Sequence, residues 1–403
     1  MKFSLFSQDK KGEVVLLYDI GSASVGAALV LLEENMKPKI LYSTRKNMVF
    51  QNELDFGRFT NSMEEIVKEV SLDVQKNGLP HLKFTKLGTL SPKKIYCTLA
   101  SPWYASQTRI IKSAKEKPFT VTKEKIKLLV DKEVENFTEF AKSNKQINNE
   151  ATEIIEKRIM QIKLNGYETS NPFNKKAETL ELAIAVSVAQ KKILNSITNV
   201  VHSVFVAQPI EFNSFSFTAF DSLRDTMIHT ESFLFIDVSG EITDVSLIKD
   251  NIIRESSSFP MGKNNVIREV TKELNIGEAE AVSMISMYHD GTLQKDKEEK
   301  IAQILIGIEQ KWISSFQNAL LKLSDTFSIP SSVFFTSDQS VGHLFSSLIH
   351  KEEFSQFTMT DEMFSVIYVD HIFLKDFVVF SRKVERDPFL ILGALFANKM
   401  YNI

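Results

Sequence analysis

Two short turns carry the side chains best suited to chemistry. Asp19-Ile20-Gly21-Ser22-Ala23-Ser24 follows one apolar run, and Asp237-Val238-Ser239-Gly240-Glu241-Ile242-Thr243-Asp244 follows another. Each opens with a carboxylate and continues through small residues. Small residues let backbone N–H groups approach phosphate oxygens, and a nearby carboxylate can hold the hydrated Mg2+ that neutralises those oxygens. The chemistry on offer is the binding of a nucleoside triphosphate with its metal. Either turn alone also reads as a plain hairpin with a turn-forming aspartate. Other chemistries find no footing. The 7 histidines lack metal-ligand spacing, and the closest pair, His343 and His350, has no acidic or thiol companion. Neither a Gly-x-Ser-x-Gly elbow nor a P-loop is present. Cys97, the only cysteine, lies in the apolar run from Ile95 to Leu99 and reads as a buried, inert thiol.

The elements that must position these turns repeat. Val14 to Tyr18 is a buried-strand run ending at Asp19; a second strand runs from Val25 to Leu32 and a third from Ile40 to Thr44. A helix with Met63, Ile66, Val67 and Val70 on one face follows, and Gly78-Leu79-Pro80 is expected to break it. The same order returns later. Ser232 to Ile236 leads to Asp237, then come strands Ile242 to Ile248 and Ile252 to Phe259. Strand, aspartate, small-residue turn, strand, turn, strand thus occurs twice, which predicts an internal duplication with two related lobes. Between the copies, residues 86–180 read as an inserted strand–helix–strand unit. Its strands are Lys94 to Leu99 and Thr108 to Lys112, and its helix begins at Thr120 or Thr122 with Ile126, Leu129, Val130, Val134 and Phe137 on one face. A polar loop is expected over 143–150, then a strand through Met160, Ile162 and Leu164. Leu180, Leu182, Ile184, Val186 and Val188 alternate as a further strand, followed by a helix from Gln190 to Val201 and a strand at Val204 to Val206. Residues 1–85 and 181–228 form the first lobe in this reading, and 229–403 the second, with a helical subdomain at 263–328. That subdomain's long helix carries an apolar stripe of Ile301, Ile304, Leu305, Ile308, Trp312, Phe316 and Leu320.

Taken in chain order, these motifs resemble the actin-like ATPase superfamily, which also contains sugar kinases and heat-shock chaperone ATPases. The first turn is similar to its first phosphate motif, the second to its Asp-x-Gly-Gly-Gly-Thr-Thr-Asp motif. Thr336-Ser337-Asp338-Gln339-Ser340 stands where its adenosine loop is expected. Within the superfamily the chain looks most like the FtsA and PilM branch. The insertion has that branch's small subdomain, Phe259-Pro260-Met261-Gly262-Lys263 is similar to its proline–glycine turn, and Glu278-Ala279-Glu280 to its nucleotide-contacting segment. The resemblance implies an α/β, actin-like (ribonuclease H-like) duplicated fold with a central cleft. It implies ATP contacts from Asp19, Gly21, Ser22, Ala23, Ser24, Asp237, Ser239, Gly240, Thr243, Gly262, Lys263, Glu278 and Ser337, with Mg2+ held through water by Asp19 and Asp237. Gln208, before Pro209, stands where the superfamily places a residue near the attacking water. Departures from the pattern are plain. Ser239-Gly240-Glu241 replaces three glycines, and Glu241 brings negative charge toward a phosphate site unless a cation meets it. The third loop has no glycine, and Lys263 replaces the second glycine of the proline–glycine turn. Only 14 of 403 residues are glycine, below the average of about 7%.

Composition bounds the rest. The chain has 403 residues, 43% hydrophobic and 25% charged, with net charge -3, which leaves no footprint for general nucleic-acid binding. Lysines gather between Lys112 and Lys127, but Glu116 and Glu124 interrupt them, as on a solvated face. No signal peptide or membrane-span pattern is visible, so a reducing, cytoplasmic setting is expected. Three functions stay open. The first is a nucleotide-responsive assembly protein that binds a membrane partner's cytoplasmic tail through the insertion, as the PilM-like resemblance to type IV pilus assembly implies, with weak ATPase activity at most. The second is a scaffold of this fold that has lost its nucleotide. The third, a sugar or metabolite kinase, would need a substrate-pocket aspartate, for which only Asp55 and Asp73 stand by. After the final helix at Pro388 to Phe396 only residues 397–403 follow, which favours the PilM-like over the FtsA-like cell division reading. Self-association is compatible with either.

Overall fold

The computed structural model describes residues 12–84, 91–143, 151–227, 230–358 and 361–403. The polar loop expected over 143–150 lies outside these, apart from Ser143 at a helix end, as do the boundary positions expected at 86 and 229.

Strands β1 (Glu13–Ile20), β2 (Ser24–Leu32) and β3 (Lys39–Asn47) form an antiparallel meander. Successive side chains of a strand point to opposite faces. Val14, Leu16, Tyr18 and Ile20 accordingly pack into one apolar cluster, while Val15 and Leu17 pack into another. Helix α1 (Phe56–Asp73) covers the first face with Met63, Ile66, Val67 and Val70; the Asp55 carboxylate caps it by accepting from the Arg58 N–H. The break expected at Gly78-Leu79-Pro80 is a change of helix type, through a π-helical turn (Val74–Gly78) into a 3-10 turn (Leu79–Phe84). Gly78 lets this turn lie on the Tyr42 ring, which a Cβ would meet at 2.8 Å.

Strand β4 (Lys94–Leu99) runs parallel beside β1. The insertion proper consists of β5 (Tyr104–Thr120), α2 (Lys123–Ser143), β6 (Thr152–Leu164), β7 (Tyr167–Glu168) and β8 (Lys176–Gln190), in sheet order β5-β8-β6-β7. Leu180, Leu182, Ile184, Val186 and Val188 of β8 face Ile126, Val130, Val134 and Phe137 of α2. The alternate residues Ala183, Ala185, Ser187 and Ala189 are small and buried on the other face. Helix α3 (Lys191–His202), β9 (Ile210–Ser214) and α4 (Phe215–Thr226) then rejoin the first lobe. The strand expected at Val204 to Val206 is irregular chain, with Val206 exposed and Ala207 at φ 57°; the true strand starts at Ile210.

The second lobe holds β10 (Phe233–Val238), β11 (Thr243–Lys249), β12 (Ile252–Phe259), α5 (Lys263–Leu274), α6 (Glu278–His289), α7 (Lys295–Ser324), β13 (Ser332–Ser337), α8 (Gly342–Ile349) and β14 (Ser365–Tyr368). The chain ends with α9 (His371–Leu374), β15 (Val379–Phe380) and α10 (Pro388–Asn402). The two large sheets run β15-β3-β2-β1-β4-β9 and β12-β11-β10-β13-β14. Apart from β15 they share one plan: an antiparallel meander, then two strands parallel to its first. The duplication expected from the sequence is present at the level of topology.

Domain limits move in three places. β4, expected in the insertion, belongs to the first lobe's sheet because it pairs with β1 and β9. β8 keeps residues up to Gln190 in the inserted sheet. The last segment, expected in the second lobe, returns to the first: β15 pairs with β3, and α10 packs Leu390, Ile391 and Ala394 with Val15 and Leu17. That same cluster also holds Phe233, Phe235 and Phe334 of the second lobe, so one core runs beneath both lobes.

Candidate functional site

Asp19 and Asp237 end corresponding strands. On β1, Asp19 shares the face of Val15 and Leu17, which points it toward α10. There it meets Arg45 of β3, whose Nη2 donates to Asp19 Oδ2 at 2.7 Å. The same guanidinium donates from Nε to Asp387 Oδ2 at 2.5 Å and from Nη1 to Ser24 Oγ at 2.8 Å. Asp387 in turn caps α10, accepting from the N–H groups of Phe389 and Leu390. Burial raises the pKa of Asp19, and Arg45 works against that rise. Gly26 on β2 makes the seat for the guanidinium: a Cβ there would lie 2.6 Å from Arg45 Nη2. The first carboxylate thus already has a cation, and that cation is part of the chain.

On β10, Asp237 accepts from Thr336 Oγ1 at 2.7 Å. Burial pushes its carboxyl well above the usual range, and Asp244 and then Asp19 add to the rise. Asp244 is likewise raised by burial, against a hydrogen bond from Ser258. Asp19 and Asp237 end equivalent strands of the two lobes, and the turns that follow them meet at one junction, where Ser22 touches Ser239.

The turns that follow are in contact. Ser22 Oγ lies 2.8 Å from Ser239 Oγ and accepts from the Glu241 N–H at 2.9 Å. A Cβ on Gly240 would meet Ala23 Cβ at 2.5 Å, and one on Gly262 would meet the Ser239 carbonyl oxygen at 2.4 Å. Four backbone donors in and around these turns are engaged: Gly21 N–H on Ser24, Ser239 on Ile242, Lys263 on Ser239, and Asn264 on Gly240. Glu241, the acidic departure noted in the sequence, is met by a cation. Arg268 Nη2 donates to both of its carboxylate oxygens at 2.5 Å, Asn264 Nδ2 donates at 2.7 Å, and Arg268 Nε reaches the Gln51 carbonyl of the other lobe at 2.8 Å. Lys263 Nζ donates to Asp338 Oδ2 at 2.8 Å; burial works to raise that carboxyl, and Lys263 helps hold it below its ordinary value.

The fold implies Mg-ATP, and these residues do not fit it. A cavity of about 20 Å3 lies between residues 47–59 and Ser22, Ala23, Glu241, Lys263, Asn264 and Glu278; it has room for a water molecule and not for a triphosphate. Among the described residues no group of three or more His, Cys, Asp or Glu side chains could hold a metal. Of the remaining candidates, Thr243 is fully buried, donating to the Met261 carbonyl and accepting from Trp312 Nε1. Ser337 Oγ donates to the Asp338 carbonyl.

Gln208 is not part of this cluster. It precedes β9, whose Ile210 is level with Ile95, whereas Asp19 is level with Thr98 near the opposite end of β4. The separation along the strands is roughly 15 Å, and the Gln208 amide lies against the Pro92 and Lys93 carbonyls. The kinase candidates are also spent: Asp55 caps α1, and Asp73 accepts from Tyr42 and Asn77. Sequence reasoning missed Arg45, Arg268 and Asp387. Asp387 had a signal, since an aspartate before a proline at a helix start reads as a cap. Nothing local marked the arginines.

A larger cavity, about 370 Å3, opens where the inserted sheet meets both lobes. β5 and β12 border it, each the edge strand of its sheet, and Thr108 Oγ1 donates to the Ile253 carbonyl between them at 2.6 Å. Ser187 and Ser214 line it and both donate to Glu156 Oε2; Glu156 Oε1 has no hydrogen-bond partner.

No family model and no curated protein matches the chain. Solved structures do. A chain of the PilM-PilN type IV pilus biogenesis complex superposes with a TM-score of 0.60 at 13% identity, covering 95% of this chain and 97% of that one. The ethanolamine utilization protein EutJ from Carboxydothermus hydrogenoformans gives 0.43 at 12% identity, with 96% and 89% covered. A Bacteroides thetaiotaomicron protein with actin-like ATPase fold and unknown function gives 0.39 at 10%, with 98% and 99% covered. At such identities the first match shows a shared fold: the chain has the actin-like ATPase fold in its PilM-like form.

Proposed function

We propose that this chain, built on the actin-like fold in its PilM-like form, is a scaffold of a membrane-associated assembly that holds an extended segment of a membrane partner's cytoplasmic tail. The observation that carries the reading is the 370 Å3 cavity between the edge strands β5 and β12. Edge strands keep unpaired N–H and C=O groups that an extended peptide can use, while alternate side chains enter pockets. The similar chain of the PilM-PilN complex supports a membrane-protein partner and a role in type IV pilus assembly. Localisation would follow from that partner, since among the described residues no helix is long and apolar enough to cross a membrane. Of the two assembly readings, the scaffold without nucleotide is favoured, because the turns that would receive phosphates touch each other.

The test is direct binding. An array of peptides from the cytoplasmic segments of the host's single-span membrane proteins is probed with the full chain, and positives are measured by fluorescence anisotropy. Micromolar binding to a type IV pilus component, abolished by Ser106→Trp at the cavity rim with unchanged melting, is the expected result. Binding indifferent to Ser106→Trp would remove the cavity from the reading.

A further inference from the structure

We infer that this chain supplies internally what a metal–nucleotide would supply to its cleft, so that its lobes stay closed without Mg-ATP and do not respond to it. The inference rests on the actin-like reading of the fold and is independent of any partner. Three side chains take three roles. Arg45 is the resident cation, ion-paired with Asp19 at 2.7 Å and with Asp387 at 2.5 Å. The Ser22 hydroxyl accepts from the Glu241 N–H, where a phosphate oxygen would otherwise accept, and bridges to Ser239 in the opposite lobe. Arg268 neutralises Glu241 and ties it to the Gln51 carbonyl across the cleft.

The glycines show that this closure is built into the chain. In a phosphate site glycine makes room for the ligand's oxygens. Here Gly26 makes room for the Arg45 guanidinium, Gly240 for Ala23, and Gly262 for the carbonyls of Ser239 and Gly240. Three of only 14 glycines are thus used to let protein groups meet one another. The Phe residues shared beneath the cleft join the lobes from the other side, with Phe215 packed on both Phe235 and Phe389. A nucleotide would have to break the serine bridge and separate the turns before its phosphates found a free donor among those named.

Two measurements test this. Isothermal titration and thermal melting of the wild-type protein with millimolar Mg-ATP should give no binding heat and no shift in midpoint; saturable heat, or a rise of several degrees, overturns the inference. The second uses Ser22→Cys with Ser239→Cys, leaving Cys97 in place because it is buried. Under mild oxidation the pair should cross-link nearly completely, at the same rate with and without Mg-ATP. A several-fold change in that rate on adding Mg-ATP, or no cross-link in a variant that melts normally, overturns it. Peptide capture at the inserted sheet would survive that outcome, so the two readings fail separately.

Discussion

Arg45 shows how one side chain can change what an acidic motif means. Its guanidinium bonds two buried carboxylates and a hydroxyl, joining β1, β2, β3 and the start of α10. Removing one partner of a buried pair leaves an uncompensated charge, so Arg45→Met should cost about 3–5 kcal/mol in urea denaturation. Adding Asp19→Asn should recover part of that loss, since one orphaned charge then disappears. Glu156 offers a pH-dependent counterpart. Burial pushes its carboxyl from an ordinary 4.5 up to about 7, against hydrogen bonds from Ser214 and Ser187. Between those values the folded state keeps a proton that the unfolded chain has released. Stability therefore falls as pH rises through this window, by about 3 kcal/mol, and levels off above it. Denaturation curves at about pH 5 and about pH 8 should show that drop in the wild type and much less of it in Glu156→Gln.

At the scale of elements, the paired hairpins decide the cleft. Each is a strand end, a small-residue turn and a returning strand, and the turns approach closely enough that Gly240 has no room for a methyl group. Gly240→Ala should therefore destabilise by about 1–3 kcal/mol through overpacking. Gly307 is the internal control. It lies in the middle of α7 with nothing within 4 Å of its built Cβ, so Gly307→Ala should stabilise by about 0.5–1 kcal/mol through helix propensity. Opposite signs in parallel melts would locate the effect in the turn contact rather than in glycine replacement generally.

For the whole molecule, the last 25 residues return to the first lobe rather than extending the second. β15 pairs with β3, and Asp387 at the start of α10 holds Arg45. Deleting residues 379–403 should therefore disrupt the first lobe selectively. The two tryptophans report on this separately: Trp103 donates to the Gly21 carbonyl and stacks on Phe59, whereas Trp312 bonds Thr243 in the second lobe. In single-tryptophan variants of the truncated chain, Trp103 emission should shift to the red while Trp312 keeps its buried spectrum. Equal shifts of both would show that the shared core fails as one unit.

Strand and helix identity was largely legible in the sequence because it follows from local periodicity: β1, β8, β10 and the stripe of α7 declare their buried faces within a few residues. The duplication was legible for the same reason, as a repeated order of local signals. Sheet membership was not. Whether β4 joins the insertion or the first lobe, and where β15 pairs, depends on contacts between residues far apart in the chain. The same holds for the cleft. Asp19 and Asp237 are equally acidic on paper, and their surroundings are set by Arg45, Asp387 and Thr336, which lie 26, 368 and 99 residues away from the carboxylates they serve or accompany. Local pattern determines which side chains a strand presents; only tertiary packing decides which partner meets them, an arginine for Asp19 and a threonine hydroxyl for Asp237.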